Sequence, residues 1–259
     1  MAGETPSFGQ ITRSDLEHRF KDFTSDFYSR MAFLAKGGVL TIAAITFIEL
    51  FPDAAGRPIV ERVIFFSASF VEVLVPIVTY RRGLLLASPR IALFDYIAPL
   101  GMAGAEIMMF KVLSSDWTSP VDYRASWFLA VAFHGLFAVA LVWTRLRMTR
   151  VSDFGDDLAT IVRRYRGWLR RDLLGAGILA IAALVTYFTG RFLGLDKVTI
   201  ELGLLGASID LGSIFPAGYI VAALAVGALA LTVSLQSIAQ QQELGKWFAI
   251  APLHSPHSP

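Results

Sequence analysis

Residues 63–111 read VIFFSASFVEVLVPIVTYRRGLLLASPRIALFDYIAPLGMAGAEIMMFK, two apolar runs joined by the basic turn Arg81-Arg82-Gly83. Carboxylates interrupt both runs: Glu72 in the first, Asp95 and Glu106 in the second. A charge at the centre of a lipid-facing helix costs about 2.5–3.5 kcal/mol on insertion scales, so these acids are expected to face protein, water or a counter-charge. Ser69, Glu72, Pro76 and Thr79 share one helical face, which reads as a polar stripe. Pro76 also removes the usual donor to the Glu72 carbonyl. Asp95, Pro99, Met102 and Glu106 follow helical spacing on the next run, although the two acids stand about 16 Å apart along the axis and cannot share one site.

Composition extends this reading to the whole chain. Of 259 residues, 55% are hydrophobic and 17% charged, against about 25% charged in an ordinary globular domain. Apolar runs recur throughout, leaving no stretch long enough for a separate soluble core. The absence of cysteine excludes disulfides, thiolate metal ligands and cysteine nucleophiles. Basic residues cluster beside the apolar runs, where they set membrane topology, and nucleic acid is not indicated as a partner.

The fold expected is an all-α polytopic membrane helix bundle of about six transmembrane helices, with amphipathic cytoplasmic surface helices and a small external β-hairpin. Residues 1–30 form an amphipathic cytoplasmic segment, with a capping box at Ser14 to Glu17 and Leu16, Phe20, Phe23 and Phe27 on one face. No signal peptide is read there. Residues 31–144 hold four spans and the polar core. Lys36, near the start of the first apolar run, is read as snorkelling to the cytoplasmic headgroups, and Lys111 as able to reach Glu106 from outside. His134 in span four is the only histidine in an apolar run, which disfavours a two-histidine haem site.

Residues 145–172 read as a basic cytoplasmic surface helix. Leu158, Ile161, Tyr165 and Trp168 form its apolar stripe, and Arg163, Arg164, Arg170 and Arg171 lie mostly off it. These four arginines and Trp168 are the candidates for lipid contact; topology control alone would require the same arginines. Residues 173–238 hold two spans without interior charge. Small residues at Ala176, Ala180 and Ala183 and at Gly218, Ala222, Ala223 and Gly227 suit close packing within the chain, a homo-oligomer or a partner membrane subunit. Between these spans, alternation in residues 198–202 and 208–212 suggests the hairpin. Residues 239–259 read as a polar cytoplasmic tail.

Phosphate-loop, zinc-protease and nucleophile-elbow motifs are absent. Two function classes carry the reading, with a membrane enzyme of unspecified chemistry third. In the first, transport or ion conduction, Glu72, Asp95, Glu106 and His134 serve a proton or ion pathway. In the second, they are structural locks of a non-catalytic membrane subunit or anchor. Two carboxylates and one imidazole would also suit a divalent metal by ligand type, and no other cofactor is implied. The basic loops predict a bacterial-type inner-membrane protein with both termini cytoplasmic. Reporter fusions after Arg90, Trp117, Arg164 and Asp196 test this topology: only those after Trp117 and Asp196 should report outside, and a cytoplasmic Trp117 fusion rejects it.

Overall fold

Among the described residues, six long α-helices carry the chain: α1 Phe27–Leu50, α2 Ile59–Leu85, α3 Phe94–Ser114, α4 Pro120–Met148, α5 Ala159–Phe192 and α6 Leu211–Ala249. This computed structural model describes residues 12, 14–15, 27–50, 59–85, 94–114, 120–156, 158–192, 199–202 and 207–249, with the side chains of 12, 14–15, 36–49, 59–79, 97–114, 123–156, 158–192 and 217–244. Five helices, α2 to α6, are long and apolar enough to cross a membrane. A helix is the one single-segment structure that satisfies its own backbone polar groups in hydrocarbon. The surface is inverted to match. Ile48, Val60, Leu174, Ile181, Phe192 and Val221 are exposed, whereas Glu61, Glu72, Glu106, Arg124 and His134 are buried.

Hydroxyl groups on these helices are absorbed locally. Ser69 donates to the Phe65 carbonyl at 2.8 Å, Thr79 to Val75 at 2.7 Å, and Thr144 to Ala140 at 2.8 Å, each one turn back. The hydroxyl protons of Ser69 and Thr79 in the expected stripe are thus used within their own helix. α2 and α3 both continue through their prolines, Pro76 and Pro99.

α4 lies between α3 and α5, α2 packs along α6, and α1 packs on α3. Aromatic rings fill the space between α2 and α4. The Phe65 and Trp127 ring centres lie 4.9 Å apart edge to face, and those of Trp127 and Phe128 lie 5.0 Å apart. Small residues permit the closest helix approaches, as lipid supplies little hydrophobic drive between helices. A Cβ on Gly135 of α4 would meet Ala180 of α5 at 2.9 Å, and one on Gly227 of α6 would meet Ala68 of α2 at 3.4 Å. Ala180, Ala183 and Ala223 thus serve packing within the chain.

Two expectations are corrected. The stretch read as a membrane-surface helix is the first half of α5, which runs unbroken for 34 residues. Its apolar stripe packs inward, so Leu158 and Trp168 join Phe154, Val162, Tyr165, Leu169 and Leu244 in a second core and do not set a depth in lipid. Arg166 of α5 donates to the carbonyls of Leu146 (2.9 Å) and Thr149, capping the end of α4. Arg163, Arg164, Arg170 and Arg171 remain exposed. α6 continues into the polar C-terminal segment as far as Ala249, where Gln241 donates to the Val78 carbonyl and Leu244 is buried. Residues 250–259 lie outside the described residues. At the N-terminus Thr12 and Asp15 cap each other, the Thr12 N–H reaching Asp15 Oδ2 at 2.8 Å and the Asp15 N–H reaching Thr12 Oγ1 at 3.3 Å, while Glu17 of the expected capping box lies outside the described residues. The expected amphipathic face beyond it falls outside the described residues. Finally, α1 begins at Phe27, before the apolar run, which moves Lys36 into the helix interior.

Residues Thr199–Leu202 and Ala207–Asp210, here β1 and β2, pair antiparallel with Ile200 opposite Ile209.

Gly135→Ala should lower thermal stability in detergent by about 1–3 kcal/mol, since Ala180 meets it with backbone as well as side chain. Gly175→Ala, which meets nothing within 4 Å, should be neutral or stabilising. Equal melting of the two variants would contradict the close approach of α4 and α5.

Candidate functional site

Lys36 of α1, Glu72 of α2, Glu106 of α3 and His134 of α4 meet inside the bundle, where the two membrane-level apolar clusters adjoin. Glu72 and His134 stand at the midpoints of their helices, and Lys36 and Glu106 within a turn of theirs. Burial follows from their neighbours. Lys36 lies one turn before Val39, and Glu106 lies between Ala103 and Phe110, all fully or nearly buried.

The contacts run in a line. The Lys36 ammonium donates to both oxygens of the Glu106 carboxylate. His134 stands between the acids, its Nε2 3.7 Å from Glu106 Oε1 and its Nδ1 3.4 Å from Glu72 Oε2. Side-chain exposure is 12% for Lys36, 0% for Glu106, 4% for His134 and 3% for Glu72, so the line is closed to bulk water. Among the described residues, neither Glu72 Oε1 nor His134 Nδ1 has a hydrogen-bond partner.

This arrangement corrects two readings of lysine. Lys36 is the buried partner of Glu106 and does not snorkel, while Lys111 is exposed and does not supply that pairing. The metal reading also loses its geometry. The two acids address opposite nitrogens of one imidazole, so the ring separates them, and the lysine occupies Glu106. Among the described residues, no group of three or more His, Cys, Asp or Glu side chains is placed to hold a metal ion. The Asp95 side chain lies outside the described residues. Of the four proposed pathway residues, the structure therefore brings together Glu72, Glu106 and His134.

A second buried polar cluster joins the first turns of α2 and α4. Arg124 grips Glu61 with Nε and Nη2, the latter at 2.7 Å from Oε2, and Tyr123 donates to the same carboxylate. Farther along, Trp127 Nε1 donates to Ser69 Oγ at 2.8 Å. Glu61 with Arg124, Ser69 with Trp127 and Glu72 with His134 ascend together along both helices, so α2 and α4 run in the same direction. Sequence reasoning singled out neither Glu61 nor Arg124 and missed their pairing. Their opposite charge at equivalent helix ends was the available signal.

An open groove of about 370 Å³ lies elsewhere, between the first half of α5 and the end of α6. Ile161, Trp168 and Leu244 line it, with the Arg164–Glu243 ion pair at its side.

No family model matches the chain, and no curated protein or solved structure matches it.

Lys36→Met should destabilise the protein by about 3–5 kcal/mol, because Glu106 would be left as an uncompensated buried charge. Adding Glu106→Gln to it should recover much of the loss. Thermal unfolding in detergent reads both, and a double variant no more stable than Lys36→Met would count against the pairing.

Proposed function

We propose that this chain is a proton-linked membrane transporter in which Lys36, Glu106, His134 and Glu72 form the relay. The observation carrying this reading is the charge balance of the buried line. The Lys36 ammonium compensates Glu106, whereas Glu72 faces an imidazole and keeps one oxygen without a partner. An unpaired carboxylate in so enclosed a place is costly, and a proton on Glu72 removes the charge. His134 stands 3.4 Å from Glu72 and 3.7 Å from Glu106 with its two ring nitrogens, so a small shift of the ring would bring it into hydrogen-bond reach of either acid and let that proton exchange. Pro76 adds a means of movement, since the Glu72 carbonyl lacks its usual helical donor.

In this proposal α1 is the sixth span: its 24 residues extend about 36 Å, enough for a hydrocarbon layer of about 30 Å. Both termini lie in the cytoplasm of a bacterial-type inner membrane, and β1–β2 lies outside. Arg163, Arg164, Arg170 and Arg171, all exposed at the cytoplasmic end, meet anionic lipid headgroups.

One observation favours the alternative of a membrane subunit or homo-oligomer. Leu174, Ile178, Ile181, Val185, Phe188 and Phe192 recur at alternating four- and three-residue steps on α5, each more than half exposed. Such a stripe fits a partner helix as well as lipid.

Reconstitution decides between them. Purified protein in vesicles with a trapped pH dye should acidify the lumen under an inside-negative potential, and Glu72→Gln should abolish the signal while preserving insertion. Lys36→Met combined with Glu106→Gln should reduce it as well. Silence of the wild type from mildly acidic to mildly alkaline pH, or loss of an oligomer as the sole effect of Glu72→Gln, would favour the subunit.

A further inference from the structure

Charge does not balance at the cluster joining the first turns of α2 and α4. Glu61 is the carboxylate there, and Arg124 and Tyr123 already engage it. Arg62, the next residue along α2, is only 4% exposed, and its Nε is sealed from solvent without a hydrogen-bond partner. Guanidinium stays protonated under all ordinary conditions. Two arginines and one acid thus leave one positive charge uncompensated among the described residues.

Place and shape indicate what compensates it. The apolar span of α2 begins at Ile59, so Arg62 lies within its first turn, at the depth where hydrocarbon gives way to headgroups. Buried arginines retain their charge by pairing with it, and a guanidinium presents parallel N–H donors that match two oxygens of one oxyanion. Snorkelling into water would leave the side chain exposed, whereas Arg62 is buried to the same degree as the Glu61 and Arg124 beside it. The bonds from Arg124 and Tyr123 fix Glu61 away from this role.

We infer that Arg62 is the anchor of a phosphate-binding site at this end of the bundle. The phosphate is that of a lipid headgroup or a free phosphate ion, and both offer the same oxygens to the guanidinium. This site is independent of the Lys36–Glu106–His134–Glu72 line and of any transport through it.

The test uses the full-length protein, stripped of lipid in a neutral detergent and followed by thermal unfolding. Inorganic phosphate, phosphatidylglycerol and phosphatidylcholine are titrated separately. A saturable rise of a few degrees is expected from at least one of them in the wild type. Arg62→Gln should abolish that rise, while Arg163→Gln combined with Arg164→Gln should preserve it and so separate this site from the basic face of α5. A response to lipids alone assigns a headgroup; a response to inorganic phosphate as well assigns a site open to the free ion. Should Arg62→Gln fail to fold, Arg62→Lys keeps the charge without the planar fork, and its rise should be several-fold weaker in apparent affinity. No rise with any of the three probes, or an equal rise in the wild type and the Arg62 variant, would overturn the proposal.

Discussion

An ammonium and a carboxylate can both lie deep among apolar helices when they touch, because each supplies the compensation that water would otherwise give. The Lys36–Glu106 pair meets that condition, and it ties α1 to α3 near the middle of both helices. Its presence also fixes what its neighbours can do. With Glu106 occupied, His134 and Glu72 form the half of the line that has no lysine or arginine in contact among the described residues. The two halves meet at one imidazole ring, so a change of charge at Glu72 reaches Lys36 through only two side chains.

The surrounding fold holds this line from several sides by different means. Between α2 and α4 the spacing is set by Phe65, Trp127 and Phe128, whose edge-to-face contacts keep the helices far enough apart for Glu72 and His134 to project between them. Between α4 and α5 it is set by Gly135 and Ala180, where the absence of bulk permits close approach. Beyond the hydrocarbon, α5 is longer than a span requires, at about 51 Å for its 34 residues. The excess builds the second core around Tyr165 and Leu158, and Arg166 seals the end of α4 there. Stability at that end is thus separable from the polar line, which has no residue in it.

Much of this was legible in the sequence, for specific reasons. Glu72, Glu106 and His134 stand out because each interrupts an apolar run, and only contact among spans two, three and four makes such interruptions tolerable. Lys36 was misread because its depth was measured from the start of the apolar run near Met31, whereas the helix begins at Phe27. The stripe Leu158, Ile161, Tyr165 and Trp168 was recognised as apolar, but amphipathic spacing does not distinguish a face turned to lipid from one turned to Leu146 and Leu244. Ser69 and Thr79 read as a polar stripe, but the spacing alone does not show that both hydroxyls donate to their own helix and that Ser69 accepts from Trp127. Glu61 with Arg124 was hidden for another reason: pairing across two helices separated by a third leaves no periodicity to read.

In the proposed relay the buried line carries one proton on Glu72 while Lys36 and Glu106 remain an ion pair. Infrared spectroscopy of the purified protein near neutral pH, with comparison of ordinary and heavy water, tests it most directly. The account predicts a carbonyl stretch of a protonated carboxylic acid that shifts on deuteration and disappears in Glu72→Gln. A folded protein with no such band, or with a band that survives Glu72→Gln and is lost in Glu106→Gln, would contradict it.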